Sequence, residues 1–272
     1  MKDPLGDRMK RHESQTMYRV PKRSYFIIRL DGCNMSKWTK KLDKPFDEGF
    51  AEDMQATAAH LCANLQGAVF AYYQSDEISI LFTDFETNEK QQLYDGKIQK
   101  ITSISASMAT AHFNKLRLKR RISNLVEVES FKLLDPLEPN DWLKEVDEFI
   151  PGMFDSRVIV ITDPDEVINY FWWRQKDASK NSISMACYAN FSHKQTNGKN
   201  SSEKQDMLME KGINWNDYAV VFKRGVIIKK EQYMKGEAVR NRWASVDPPI
   251  FSQDWGWLAD LVPFYRSTFF KL

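Results

Sequence analysis

The stretch that most constrains this chain is Val69 to Phe82, VFAYYQSDEISILF, in which two adjacent carboxylates, Asp76 and Glu77, fill the polar gap of a long apolar run. The flanking residues are β-branched or aromatic, and from Ile78 to Phe82 they alternate with a period of two. The segment therefore reads as strand, tight turn through Gln74 and Ser75, and strand, with both acids at its tip. A similar place lies upstream, where Tyr25-Phe26-Ile27-Ile28-Arg29-Leu30 ends in Asp31-Gly32. Acids delivered by separate strand ends can converge on a hard cation, because Mg²⁺ takes oxygen ligands and is usually held by one or two carboxylates plus substrate phosphates. Taken singly, each site reads equally well as a structural turn or a solvated hairpin tip. The two together point to function, since plain turns more often use Asn-Gly or Pro.

Composition narrows the partners. With 39 Lys and Arg against 37 Asp and Glu the formal charge is only +2, so a polyanion would have to be met by local clusters. The 272 residues, 42% hydrophobic and 28% charged, can bury a substantial core as one large domain or as a main domain with an appendage. Cys33, Cys62 and Cys187 are too few and too scattered for a disulfide framework or a zinc knuckle, which fits a reducing compartment. No run of about 18 apolar residues could span a bilayer, and MKDPLGDRMKRHE lacks the apolar core of a signal peptide. No membrane partner and a cytoplasmic location are expected.

In chain order, residues 1–20 read as a charged helix or arm whose Leu5, Met9 and Met17 could dock on the body. After Asp31-Gly32 a polar connection carries Lys37, Lys40, Lys41 and Lys44, and a helix starts near Asp47, with Phe50, Met54, Ala58, Leu61, Cys62 and Leu65 at helical spacing. His60 on this helix reads as packed or surface. A loop around Glu86 to Lys90 leads to a helix from about Gly96 to Asn114. There Lys97 and Lys100 share a face, either solvated or suited to a triphosphate. LLDPLEPNDW, residues 133–142, reads as a long connection. Phe154 to Ile161 is a strand that ends before Asp163-Pro164, and a helix with Asp165 and Glu166 in its first turn carries Tyr170, Phe171, Trp172 and Trp173 as core or subunit interface rather than as a base-stacking platform. Residues 192–205 read as a flexible basic loop that tracks a phosphate backbone or is simply exposed, GINWND as a late loop and VVFKRGVIIKK as a strand hairpin. Beyond Gly236 no chemistry stands out. The chain has no P-loop, GxGxxG, Ser-His-Asp order or CxxC pair, so phosphate would have to be bound through metals, lysines and strand-end amides.

Taken in order, Ile28-Arg29-Leu30-Asp31-Gly32, Lys44-Pro45-Phe46-Asp47, Gln74-Ser75-Asp76-Glu77, and Lys97 with Lys100 resemble the tRNA-histidine guanylyltransferase family. Phe154-Asp155-Ser156-Arg157, Trp173-Arg174-Gln175 with Asp177 and Asn181, and Gly212-Ile213-Asn214-Trp215-Asn216 extend the resemblance, which covers roughly Leu5 to Ile228. That family is similar in its core to the palm of ordinary polymerases but adds nucleotides 3′-to-5′ to the 5′ end of tRNA. The resemblance implies two Mg²⁺ held by Asp31, the Gly32 carbonyl and Asp76. It implies nucleotide contacts, with GTP or ATP as substrate, from Asp31, Gly32, Cys33, Asn34, Met35 and Ser36, with Ser75 and Asp76, and triphosphate contacts from Lys97 and Lys100. It further implies catalytic roles for Asp31 and Asp76, a link of Lys44 to activation of the 5′ end, and Glu77 as a supporting acid. Arg174, Asn181, His193, Lys194, Lys199, Lys204 and Asn214 are the implied tRNA contacts, and a homotetramer the implied assembly.

Departures from the pattern refine this. Ser179-Lys180-Asn181-Ser182 stands where eukaryotic members have His-Ile-Asn-Asn, linked to recognition of the histidine tRNA. Asn181-Ser182-Ile183, Phe191-Ser192-His193-Lys194 and Gly198-Lys199 instead resemble the bacterial and archaeal guanylyltransferase-like branch, which repairs truncated tRNA 5′ ends against the opposite strand. Cys33 replaces the usual Arg after Asp-Gly, and Gly96-Lys97 replaces an Arg pair. The expectation is an α+β fold: a polymerase-palm-like antiparallel sheet packed against helices, with a helical and hairpin C-terminal region. Residues 1–135 would form the catalytic core with its arm, 136–235 its completion and tRNA-contacting region, and 236–272 an extension. The expected function is template-dependent 3′-to-5′ nucleotidyl transfer to tRNA. A palm-fold nucleotide cyclase and a non-catalytic RNA-binding protein are the alternatives.

Overall fold

The computed structural model describes residues 3–85, 89–132, 146–236 and 238–263. Helix α1 (Pro4–Ser14) starts where Asp3 accepts from the Gly6 N–H, and it buries no residue. Leu5, Met9 and Met17 are exposed, so the arm does not dock on the body through them. Strand β1 (Tyr25–Cys33) turns through Asn34, which has left-handed φ, into the short helix α2 (Met35–Trp38). Asp47 caps α3 (Glu48–Asn64) by accepting from the Phe50 N–H at 2.6 Å, so that Phe50, Met54, Ala58 and Leu61 face inward. Strands β2 (Ala68–Gln74) and β3 (Glu77–Phe82) follow, with Ser75 and Asp76 as the turn. Glu77 is thus the first paired residue of β3 and not part of the tip.

Helix α4 (Ile98–Lys132) runs well past the expected end at Asn114. Its small residues permit close approach to β4 (Met153–Ile161), where Ser105 and Ser156 share a hydrogen bond at 2.8 Å and the Phe154 N–H donates to Thr110. The connection expected at 133–142 and much of the loop expected at 86–90 lie outside the described residues. Asp163 and Pro164 open α5 (Pro164–Asn190). Residues 192–205 are not a flexible loop. Capping boxes Ser192/Gln195 and Asn200/Glu203 start α6 (His193–Thr196) and α7 (Ser201–Glu210). Helix α8 (Val220–Arg224), strands β5 (Val226–Lys235) and β6 (Ala238–Val246) and helix α9 (Trp255–Ala259) complete the chain.

The strands form one antiparallel sheet in the order β4-β1-β3-β2-β5-β6, an α+β fold. Its strands come from all three expected segments, since β6 lies beyond Gly236. Period two splits the sheet into faces: Ile28, Leu30, Tyr73 and Ile80 pack with Met54, Leu61, Ile101 and Phe113 of α3 and α4. Tyr25, Ile27, Phe70, Tyr72 and Leu81 pack with Val167 and Phe171 of α5 and with Phe251 and Leu258. Among the described residues no helix is long and apolar enough to cross a membrane.

Candidate active site

Register brings the acids together. Asp31 pairs with Glu77 on one side and with Asp155 on the other, so three carboxylates form one row at a sheet edge. Directly opposite residues share a face, and the next row inward on that face holds Arg29, Arg157 and Ser79. The arginines sit behind the acids and offset their repulsion, although Nε of Arg29 is buried without a hydrogen-bond partner.

Asp76 reaches this edge from the β2–β3 turn. A Cβ placed on Gly32 would lie 3.0 Å from Asp76 Oδ2 and 2.7 Å from Met35 Cε, so a side chain there would have to push Met35 or the Asp76 carboxylate aside. Burial, then the nearby Asp31, raises the Asp76 carboxyl above its usual value, against hydrogen bonds from its own N–H and from Ser75 that lower it. Asp31, the Gly32 backbone and Asp76 fit a divalent oxygen-ligated cation. No three His, Cys, Asp or Glu groups converge among the described residues, and a cation bound together with phosphates needs only one or two carboxylates.

Beside these groups opens a cleft of about 360 Å³. Its polar end is Ser36, Lys44, Ser75 and Asp76, and its walls include Leu42, Phe46, Phe50, Met185 and Phe222. Phe46 stacks on Phe222 at 4.8 Å and meets Tyr218 edge-on at 5.0 Å, an aromatic cluster built by two segments far apart in the chain. Lys44 is tethered by a 2.8 Å bond from Nζ to the Thr39 carbonyl. Asn181 of α5 lines the opposite side and donates to Asp177. The backbone leaves the cleft at Gly225, φ +74°, where a Cβ would stand 2.4 Å from the Tyr73 carbonyl oxygen.

Glu77 does not line the cleft. It points to the α5 face, where Arg174 donates to both carboxylate oxygens at 2.7 Å and also to Asp177 at 3.2 Å. Both side chains are 7% exposed. Burial, the largest influence, raises the Glu77 carboxyl while Arg174 opposes it; burial lowers the Arg174 guanidinium, but Glu77 together with Asp177 and Tyr170 turns the net upward. Arg174 is thereby engaged inside the protein and not presented to RNA. Lys204 is also turned inward, its Nζ donating to Ser184 at 3.0 Å and Tyr188 at 3.3 Å. His193, Lys194 and Lys199 are exposed at α6 and the start of α7, Lys199 paired with Glu203 at 3.0 Å, while Asn214 caps the turn at 215–217.

Lys97 and Lys100 precede and open α4 outside the cleft lining, and Lys100 Nζ lies 5.2 Å from the Tyr94 ring centroid. Cys33 pairs with Met153 at the end of β1. Trp172 and Trp173 are exposed, whereas Tyr170 and Phe171 belong to the core. The acid row, the aromatic cluster and the parallel stacking of His60 on His112 at 3.9 Å were not legible from sequence, because each joins segments far apart in the chain.

Residues 6–162 match the family described as tRNAHis guanylyltransferase. A bacterial tRNA(His) guanylyltransferase-like protein, solved in complex with ATP, is 40% identical with a TM-score of 0.80 and covers 96% of this chain and 100% of that one. The bacterial guanylyltransferase-like structure in complex with GTP is 38% identical with a TM-score of 0.76 over the same shares. The tRNA(His) guanylyltransferase of Schizosaccharomyces pombe is 27% identical over 76% of this chain and 74% of its own.

Proposed function

The chain belongs to the tRNAHis guanylyltransferase family and is a nucleotidyltransferase, and from that premise we propose that it adds nucleotides 3′-to-5′ to the 5′ end of tRNA, guided by a template. The observation that carries this reading is the meeting of Asp31, Gly32 and Asp76 beside a cleft of nucleotide size. Asp31, Asp76 and the Gly32 carbonyl would hold Mg²⁺, which when bound supplies the Lewis acidity that favours the attacking 3′-oxygen and offsets charge on the leaving pyrophosphate.

The chain's own groups bind and orient. The Ser36 hydroxyl donates to a phosphate oxygen at the polar end, where Ser75 steadies the Asp76 carboxylate, and Lys44 adds a charge-assisted donor at the mouth. The apolar walls exclude water from the base. The 3′-oxygen of the incoming nucleotide then forms a bond to the α-phosphorus of a triphosphorylated 5′ end; pyrophosphate departs and the hydroxyl proton passes to solvent. A monophosphorylated end is first activated: its phosphate oxygen bonds the α-phosphorus of a nucleoside triphosphate with loss of pyrophosphate, and the nucleoside monophosphate so attached departs when the 3′-oxygen attacks.

Repair is favoured over recognition of one tRNA by the state of the 179–182 segment. Ser179 donates to the Lys223 carbonyl at 3.0 Å, Asn181 to Asp177, and Ser182 accepts from Trp215, so three of its four side chains are bonded within the protein, while Lys180 is exposed. The exposed Trp172 and Trp173 suit a homotetramer contact.

The test is incubation of the purified chain with Mg²⁺, nucleoside triphosphates and a tRNA lacking its first nucleotide, beside Asp76→Ala. Extension that follows the template base, lost by several orders of magnitude in the variant, is expected. RNA that binds but never lengthens, whatever its 5′ phosphorylation, would sink the reading.

A further inference from the structure

The stretch after β6 joins two walls of the cleft. Gln175 of α5 is 3% exposed, and both ends of its amide are used: Nε2 donates to the Pro249 carbonyl at 2.9 Å and Oε1 accepts from the Phe251 N–H at 2.8 Å. Arg224, the last residue of α8, donates from Nε to the Pro248 carbonyl at 3.1 Å. Two side chains from different helices thus take neighbouring backbone groups of one short segment, Pro248 to Phe251.

Each of these helices lines the cleft. Ala178, Ser182 and Met185 follow Gln175 at helical spacing on α5, and Phe222 and Gly225 bracket Arg224. The walls also meet at Ser179, whose hydroxyl donates to the Lys223 carbonyl at 3.0 Å. The segment that spans them is firmly seated. Phe251 is fully buried in the cluster that holds Tyr72, Phe171 and Leu258, and the Tyr72 hydroxyl donates to the Arg224 carbonyl at 2.8 Å. Both accepting carbonyls belong to prolines, whose rings fix φ, so the acceptors are held at a set spacing.

We propose that Pro248 to Phe251 is a clip that sets the width of the nucleotide cleft, with Gln175 and Arg224 as positioning residues that act through it. Neither side chain lines the cleft itself. Opening the clip lets the α5 and α8 walls separate, and a shift of about 1 Å there costs a bound nucleotide its contacts while Asp31 and Asp76 stay in place. The segment after β6, where the sequence alone shows no chemistry, thereby takes part in substrate binding. The inference rests on the reading of the cleft as the nucleotide site.

The test measures equilibrium affinity for a nucleoside triphosphate with Mg²⁺ and without RNA, so that no addition can occur, and affinity for tRNA separately. Arg224→Met removes one tie and Gln175→Met two. Each is expected to weaken nucleotide binding by about threefold to tenfold, the scale of a hydrogen bond or two, and to leave tRNA binding as it was. Arg224→Lys, which keeps a donor, should recover most of the loss. The double variant should be little weaker than Gln175→Met alone, because one clip opens only once. Unchanged nucleotide affinity in both single variants overturns the proposal. So do losses that simply add, which would mean that each residue supports its own wall, and so does an equal loss of tRNA binding, which would mean general damage. If Gln175→Met does not fold, the Arg224 variants decide alone: the Met form must weaken nucleotide binding and the Lys form must restore it. Failure of the cleft reading shows separately, as wild-type protein that binds nucleoside triphosphate no better than Phe222→Ala does.

Discussion

Among the described residues the buried carboxylates of Asp53 and Glu77 are both held by arginines, and their settings differ. Asp53 of α3 accepts from Arg117 at 3.0 Å and from Arg120 at 3.0 and 3.1 Å, so two α4 arginines share it, and Arg120 is 34% exposed and also reaches Glu52. Glu77 accepts two bonds from a single arginine, Arg174, with both side chains 7% exposed, and a longer one from Ser79 at 3.4 Å. The first bridge ties together two helices already fixed by Met54, Leu61 and Phe113. The second fastens α5 to the residue next to Asp76. The same pair of chemical groups is redundant in one place and irreplaceable in the other, and the irreplaceable one sits at the site.

The largest expected effect follows from this. Arg174→Met leaves Glu77 buried without its cation, a change that costs about 3–5 kcal/mol when a buried pair is broken. Denaturant unfolding should show it, and nucleotide addition should fall in the protein that remains folded, because the Asp76 turn loses its anchor. Arg174→Lys should rescue little, since a point charge cannot reproduce two parallel bonds. The double variant Arg174→Met with Glu77→Gln should be more stable than Arg174→Met alone. A single variant as stable as wild type breaks the comparison.

Arg120→Ala is expected to cost about 1 kcal/mol or less, because Arg117 still pairs with Asp53 and a partly exposed arginine contributes as surface pairs do. Nucleotide addition should be unchanged within error. A loss as large as that of Arg174→Met would mean that the α3–α4 bridge is also irreplaceable. Much of this contrast lay beyond what the sequence could show. The period of two from Ile78 to Phe82, the helix start near Asp47 and the helix with Asp165 and Glu166 in its first turn depend on neighbours in the chain, and they match the structure. The pairing of Asp31 with Glu77 and the contact of Glu77 with Arg174 depend on strand order and on which face a residue takes, so adjacency to Asp76 suggested a shared role for two acids that point to different places. For residues 192–205 the local signal is present as S-x-x-Q and N-x-x-E capping boxes, but polar composition outweighs it, and so Lys204 reads as a tRNA contact alongside Lys194 and Lys199.

The smallest effect probes the same α3–α4 interface by pH. His60 and His112 stack at 3.9 Å, one from each helix, with Asn64 beside His60 at 3.3 Å. Burial, then Lys115, lowers His60 below its ordinary 6.5; burial, then His60 and Lys115, lowers His112. Folded protein therefore binds these protons less readily than unfolded protein. The stability they contribute is present above the unfolded value near 6.5 and is lost as pH falls through the lowered folded values. Unfolding midpoints measured from pH 7.5 down to 5 should decline more steeply in wild type than in His112→Phe, which keeps a stacking ring but cannot titrate. Equal slopes would show that protonation at this interface is absorbed without strain. A change in nucleotide addition at neutral pH would show that the α3–α4 side is coupled to the site as closely as the Glu77 side is.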